Sequence, residues 1–403
     1  MQTKPVSFVE DSRLALQELR RTLIELFAAI EADPSAPQEV ARRFGINRNL
    51  TWKLSKVMTA HDPFASLNYI PGEQGILLAL DAFAKAGASR ERVENVSAAV
   101  RRFRQVIGTH ADDREQFELT LESMGLFERE GRPEGGREQA YRGNSMVWGV
   151  HARTRLASMF LAPGDAPGTV DFVLIAGLLG FRRLRPNAKW RLFRSQLHDD
   201  KGGSLRMRPD PLDLAVRSDV PHLLPSFCSE NMPEIEVLTG ADGIEYMLPG
   251  GPVGKQAAFD VFMGYIARGL PLYRDETNQY GSGAAPITLP TESLVFDVLA
   301  HRDVALQVKP EVLLYGYPHG GTESPAAQTL HNRLPCNERA VELAGPPPAV
   351  ATPAVPRYSR LAEFVYERMG WRPAEFTGLR VTMPFPPMSS RVVLRWPLPE
   401  KPA

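Results

Sequence analysis

Proline is spread so unevenly along these 403 residues that it decides where long helices can form. Residues 1–150 contain six prolines, residues 151–309 thirteen, and the last 94 residues sixteen. A proline inside a helix removes a backbone hydrogen bond and clashes with the preceding turn, and inside a central strand it interrupts the ladder. The N-terminal part is therefore free to be helical, whereas the C-terminal part must be rich in short strands and turns. Periodicity agrees with this division. Leu16, Leu19, Leu23, Phe27 and Ile30 recur at three- and four-residue steps, as do Val93, Val96, Val100, Phe103 and Ile107. Each set is the apolar stripe of an amphipathic helix that needs a partner surface.

These features predict an α+β fold: an all-helical N-terminal domain over residues 1–128, then a larger mixed, turn-rich part. A polar, glycine-containing segment at 128–138 marks the boundary. An α+β domain is expected over 139–345, and a helix and strands over 357–403 are expected to pack on it. Between them, residues 345–356 (GPPPAVATPAVP) read as an extended linker, too rich in Pro and Ala for a packed element. The spacing of Trp148, Ala152, Leu156 and Met159 predicts a helix that ends before Pro163, and a second helix is expected over 256–268. Strands are expected over 169–175, 293–299, 304–308, 312–317, 379–383 and 391–396.

Charge narrows the function classes. With 47 Lys and Arg against 47 Asp and Glu, 43% hydrophobic and 23% charged residues, the chain is neither a disordered polyelectrolyte nor a uniformly basic coat for nucleic acid. Any electrostatic function must be local. The longest apolar run, residues 172–181, is about half of the roughly 20 residues a membrane span requires, so it reads as core and no membrane partner is expected. The N-terminus has no continuous apolar stretch of the kind a secretory signal carries. Cys228 and Cys336 are the only cysteines and form no CxxC, which fits a cytoplasmic protein and argues against a disulfide scaffold or a zinc ribbon.

Residues 37–58, PQEVARRFGINRNLTWKLSKVM, divide into a short helix from Pro37 to Phe44, a turn at Gly45 and a second helix from about Asn47. Pro37 suits a first helical turn, Gly45 can adopt the left-handed conformation that ends a helix, and Asn47 can cap the next. Ala41 is small where two helices cross closely. The pattern resembles the helix-turn-helix of bacterial transcription regulators, in which a small residue, a turn glycine and a following apolar residue, here Ala41, Gly45 and Ile46, set the interhelical angle. The β-branched aliphatic residue usual near the start of the recognition helix is replaced, with Leu50 or Thr51 the nearest occupant.

On a helical wheel, at about 100° per residue, Leu50, Leu54 and Val57 share one face. Arg48, Trp52, Ser55 and Lys56 lie opposite, flanked by Asn49 and Thr51. Arg and Asn suit bidentate contacts with guanine and adenine edges, while Lys and Ser suit phosphates. Residues 36–60 hold five basic side chains (Arg42, Arg43, Arg48, Lys53 and Lys56) and one acid, Glu39, a local balance of +4. Arg42, Arg43, Asn47, Arg48, Asn49, Thr51, Trp52, Lys53, Ser55 and Lys56 are thus the candidate DNA-binding residues. Basic polar faces are also ordinary on solvated helices. The helix expected at 73–85 leaves no room for a β-hairpin wing, and Arg90, Arg101 and Arg104 flank the later apolar stripe.

Residues 182–208 carry nine Lys or Arg and two Asp, interleaved with Trp190 and Phe193. Arg182, Arg183, Arg185, Lys189, Arg191 and Arg194 are candidate anion-binding residues, unless the acidic stretch at 230–245 neutralises them within the fold. Enzyme signals are weak. GGPVGK at 250–255 has three residues between Gly250 and Gly254 and Gln256 after Lys255, so it is not a phosphate-binding loop. YPHGG at 317–321 resembles the oxyanion loop of esterases, but no Gly-x-Ser-x-Gly elbow follows. The histidines lack metal-ligand spacing, and His198 with Asp199 and Asp200 reads as a polar turn. No catalytic residue, metal or cofactor is expected.

The expectation is a DNA-binding transcriptional regulator acting on double-stranded DNA as a homodimer, with the larger part sensing an unknown small-molecule effector or mediating dimerisation. The alternatives are an enzyme or anion-binding protein with a helical scaffold, and a self-assembling interaction protein.

Overall fold

A computed structural model describes residues 7–127, 135–195, 210–215, 222–240, 243–275, 279–304, 310–316 and 332–401. The fold is α+β, and the chain divides into two compact units, residues 1–133 and 134–403. The first unit is helical: α1 (Phe8–Ala29), α2 (Pro37–Phe44), α3 (Arg48–Thr59), α4 (Glu73–Lys85), α5 (Arg90–His110) and α6 (Arg114–Ser123), with a 3-10 turn (Phe64–Tyr69) between α3 and α4. Side chains of Ser7, Ser89 and Asp113 accept hydrogen bonds from the first turns of α1, α5 and α6, satisfying N–H groups that a helix start otherwise leaves orphaned. The stripes of α1 and α5 meet in one core that includes Leu16, Leu19, Leu23, Phe27, Val96 and Phe103. Buried Asp11 on α1 also holds Arg102 at 2.6 Å and His110 at 3.1 Å, both on α5.

The second unit opens with α7 (Gly135–Trp148) and continues through β1 (Val150–Pro163), β2 (Thr169–Arg183), β3 (Trp190–Ser195), β4 (Asp210–Pro211), β5 (Glu236–Gly240), β6 (Gly243–Leu248), β7 (Phe259–Pro271), β8 (Tyr280–Ile287) and β9 (Thr291–His301). It ends with β10 (Glu311–Gly316), β11 (Arg333–Leu334), β12 (Val341–Glu342), α8 (Tyr358–Met369), β13 (Phe376–Pro384) and β14 (Ser390–Pro397). The described residues form three sheets, ordered β12-β13-β9-β1-β2-β7-β4, β11-β10-β14-β8 and β3-β6-β5. Among the described residues pairing is antiparallel except between β1 and β9.

Side chains alternate faces along a strand. From β1, Leu156, Phe160 and Ala162 enter a core covered by Tyr358, Leu361 and Val365 of α8. Their neighbours Ala157, Met159 and Leu161 enter another, shared with Ala285, Ile287, Val392 and Leu394 of the four-stranded sheet. Two-sided burial explains the main departures from the sequence reading. The helix expected from Trp148 to Pro163 is strand β1, and the helix expected over 256–268 is a 3-10 turn (Lys255–Ala257) followed by β7. A strand apolar on both faces loses its two-residue alternation, so its sequence is compatible with a helical stripe. Residues 345–356 are not an extended linker either. They form turns whose Val350 and Val355 pack into the α8 core. Of the strand expected at 304–308, Val304 is a buried bend residue and 305–308 lie outside the described residues, as does Tyr317.

A charged pair lies inside this core. Arg380 on β13 stands opposite Asp297 on β9 and binds its carboxylate through two nitrogens at 2.8 and 2.7 Å. Asp297 is 0% exposed. Arg380 also donates to the Val350 carbonyl at 2.6 Å and lies 5.6 Å from the centroid of Tyr358, whose hydroxyl donates to Ser158 at 2.8 Å. The guanidinium thus joins two strands, a turn and α8. Arg380→Met strands the buried carboxylate and is expected to cost about 3–5 kcal/mol in denaturant unfolding of the second unit. Arg380→Met combined with Asp297→Leu, which removes both charges, is expected to recover most of that loss.

Candidate nucleic-acid interface

The α2–α3 pair is shaped by its turn. Pro37 occupies the first turn of α2, and Gly45 ends that helix at φ +64°, a left-handed conformation costly for residues with a Cβ. The N–H groups of Gly45 and Ile46 both point back to the Ala41 carbonyl. Asn47 caps α3, its side-chain oxygen accepting from Asn49 N–H at 2.8 Å. At the other end of α3, Arg20 from α1 donates to the Met58 carbonyl at 2.9 Å, satisfying one of the last acceptors of the helix.

These constraints fix which side of α3 is outside. Arg48, Asn49, Trp52 and Lys56 are exposed and Lys53 is half-buried, while Leu54, Val57 and Met58 are in the core and Leu50 is half-buried against it. Trp52 is 42% exposed, its inner edge set against Tyr69 at a centroid distance of 5.5 Å. The Lys56 ammonium lies 5.8 Å from the centre of the indole. Among the described residues, Arg48, Lys53 and Lys56 form no ion pair. Arg42 is also exposed, and its 3.8 Å approach to Glu39 joins two solvated side chains, an arrangement that contributes little.

Two candidate residues need correction. Thr51 is 1% exposed and its hydroxyl is turned back to the Arg48 carbonyl at 3.0 Å. Ser55 is buried because the loop between α1 and α2 covers it, and its hydroxyl donates to the Pro34 carbonyl at 2.5 Å. Neither is available to a phosphate or a base. Arg43 is exposed, but one guanidinium nitrogen is held by the Glu31 carbonyl at 2.8 Å and the group lies over Phe44. The outward set is therefore Arg42, Arg43, Asn47, Arg48, Asn49, Trp52, Lys53 and Lys56. Sequence periodicity could not find Pro34, Tyr69 or Arg20, which act on α3 from other segments.

Among its described residues, the second basic stretch is not gathered into one anion site. Arg183 is buried, donates to the Pro249 carbonyl at 2.7 Å, and is pushed down from its ordinary pKa by that burial. Arg185 donates to the Val147 carbonyl at 2.6 Å, and Arg191 pairs with Glu245 at 2.8 Å. Lys189 is exposed, and the Arg194 side chain lies outside the described residues. So do YPHGG and the His198–Asp199–Asp200 cluster. The Lys255 segment is a turn that opens with Gly254 at φ +90°. Among the described residues no group of acids, histidines and cysteines is disposed to hold a metal ion, and no helix is long and apolar enough to cross a membrane.

Arg182 belongs to a different cluster, one that sequence spacing did not suggest. It stands opposite His151 across β1 and β2. The Tyr141 hydroxyl, from α7, is 2.7 Å from His151 Nδ1 and donates to Glu292 at 2.9 Å. Burial raises the Tyr141 pKa, and the hydrogen bond to Glu292 adds to it. Burial, with Arg182 adding to it, lowers the His151 pKa. These residues are too far apart in the chain to form a motif.

No protein-family profile matches the chain, and no curated protein does. Among solved structures, a crystal structure described as a putative protease from Parabacteroides distasonis shares 9% identity at a TM-score of 0.26, over 61% of this chain and 40% of its own. This chain thus spans about two fifths of that protein's length. A likeness of that size establishes neither fold nor activity.

Two outcomes test this geometry. Gly45→Val forces a β-branched residue to φ +64° and is expected to cost roughly 1–2 kcal/mol, measured by denaturant unfolding and by faster amide exchange in α2 and α3. The lowered His151 pKa means that the unfolded chain takes up the proton first. The associated stability is complete above the ordinary value of 6.5 and is lost as pH falls toward the depressed one. His151→Gln should show a smaller fall in melting temperature than the parent between about pH 7.5 and about pH 5. An identical fall would exclude a buried neutral imidazole.

Proposed function

We propose that this chain is a sequence-specific DNA-binding transcriptional regulator, with α2, the Gly45 turn and α3 acting as a helix-turn-helix. The observation that carries the reading is the outward face of α3. Arg48, Asn49, Trp52, Lys53 and Lys56 lie together there, and its three cations form no ion pair among the described residues. Arg48 and Asn49 are the types that read guanine and adenine edges in the major groove, and Trp52 suits the groove wall. Arg42, Lys53 and Lys56 would meet phosphates.

One such helix reads only a few base pairs, so the reading includes a homodimer on half-sites about one helical turn apart. In this reading the second unit serves dimerisation or sensing, and the protein works in the cytoplasm. The overall balance of 47 basic and 47 acidic residues suits it, because a neutral chain binds DNA weakly without the few placed contacts. The competing anion-binding reading is weakened by the carbonyl and carboxylate partners of Arg183, Arg185 and Arg191.

Selection of bound sequences from a random duplex pool by the full chain, followed by anisotropy titrations across salt, tests the proposal. Lys53→Ala with Lys56→Ala is expected to lower the log–log salt slope by about 1.8, near 0.9 for each phosphate contact. Arg48→Ala is expected to lose about 1–3 kcal/mol of discrimination at one base position with little change in slope. An unselected pool, or retention indifferent to all three substitutions, would sink the reading.

A further inference from the structure

The helical unit contains a cleft of about 440 Å³, within the roughly 300–1,000 Å³ range of small-molecule sites. Its walls come from α1, α4, α5 and the start of α6, with the chain entering α4. Leu19, Ile70, Ile76, Val100, Phe103 and Ile107 supply the apolar surface, and Glu73, Arg104, Asp112 and Arg114 supply the charges. Those charges are unequally committed. Arg104 is paired with Glu73. Arg114 donates to Glu118 at 2.7 Å and to the carbonyls of Ile70 and Leu67 at 2.9 and 2.8 Å, which ties α6 to the chain beneath the cleft. Asp112 donates its N–H to Gln116 at 2.6 Å, but its carboxylate has no partner among the described residues. The uncommitted charge beside the apolar surface is therefore negative.

We infer that this cleft is a binding site for a small apolar amine, its hydrocarbon or aromatic body against Phe103 and the aliphatic wall and its ammonium on Asp112. A carboxylic acid of the same shape would meet Asp112 and find both guanidiniums already engaged. The floor of the cleft also supports the candidate recognition helix. Ile70 follows directly on Tyr69, which packs against Trp52, and α4 carries Gly75, where an added Cβ would stand 3.4 Å from Leu50 of α3. Occupation of the cleft thus bears on the posture of α3. This coupling rests on the DNA-binding reading, whereas the site itself does not.

Calorimetry of the full chain with 4-phenylbutylamine and 4-phenylbutyrate, without DNA, tests the site. The amine is expected to bind at least about tenfold more tightly than the acid, a difference near 1.4 kcal/mol. Asp112→Asn should erase that preference. Gly108, on α5, lines the cleft with nothing within 4 Å of where its Cβ would stand. Gly108→Phe should therefore fold normally, by circular dichroism and melting temperature, and abolish binding of the amine. No binding of the amine, equal binding of the acid, or binding unaffected by both substitutions would overturn the site. In a parallel anisotropy titration, a DNA affinity that the amine changes in the parent but not in Gly108→Phe supports the coupling. An affinity unchanged with amine bound overturns it. Absence of any DNA binding removes the DNA reading and leaves the calorimetric result to stand or fall alone.

Discussion

Burial of β1 on both faces is the constraint from which the larger unit is built. A strand with Phe160 on one face and Met159 on the other leaves no side for water, so each face needs its own cover. One face is closed by α8 and the other by a second sheet, the layered solution for elements that must hide apolar surface twice. Proline punctuates the segments between those layers. The Asp297–Arg380 pair sits where the cover meets the sheet, and a nitrogen that binds Asp297 also donates to Val350 in the turns that lead into α8. A buried pair of this kind adds little over a well-packed apolar pair. Its geometry nonetheless demands that β9, β13 and that turn be in register together.

The helical unit solves a smaller problem by local means. A left-handed glycine, a capping asparagine and a small Ala41 bring α2 and α3 together with few residues. Tertiary contacts then settle what α3 presents. Arg20 ties its last turn to α1, Pro34 covers Ser55, and Tyr69 supports the inner edge of Trp52. The outward face is the remainder once these claims are met.

That division explains how much could be read in advance. The bounds of α2 and α3, the stripes of α1 and α5, and strands such as β13 and β14 follow from signals within a few residues of each other, and the sequence showed them. Strands β1 and β7 were obscured because two-sided burial erases alternation. The turns at 345–356 were misread because Pro and Ala say nothing about Val350 and Val355, whose burial depends on a helix that follows. On α3 the wheel placed Arg48, Trp52 and Lys56 outside and Asn49 at the flank, and all four are exposed. It failed for Ser55, since the loop that covers it belongs to no helical period, and Thr51, expected at the flank, is buried with its hydroxyl turned back to the Arg48 carbonyl. The Tyr141, His151 and Glu292 cluster was invisible for the same reason on a longer scale, being assembled from α7, β1 and β9.

Net charge was the least informative property, because what matters is which charges are already matched. Along α5, Arg92 meets Glu25, Arg101 meets Glu94, Arg102 meets Asp11 and Arg104 meets Glu73. In the second unit Arg191, Arg268 and Arg380 have carboxylate partners as well. Exposed pairs contribute little stability, so leaving Arg48, Lys53 and Lys56 unmatched among the described residues costs the fold almost nothing. It does change the local field, because neighbouring cations without counter-charges keep an attraction for a polyanion that paired ones largely cancel. The same reasoning applied to the cleft gives the opposite sign, with both guanidiniums matched and Asp112 left over. A neutral chain can therefore carry a cationic face and an anionic cleft in one helical unit, and it is the pairing pattern that distinguishes them.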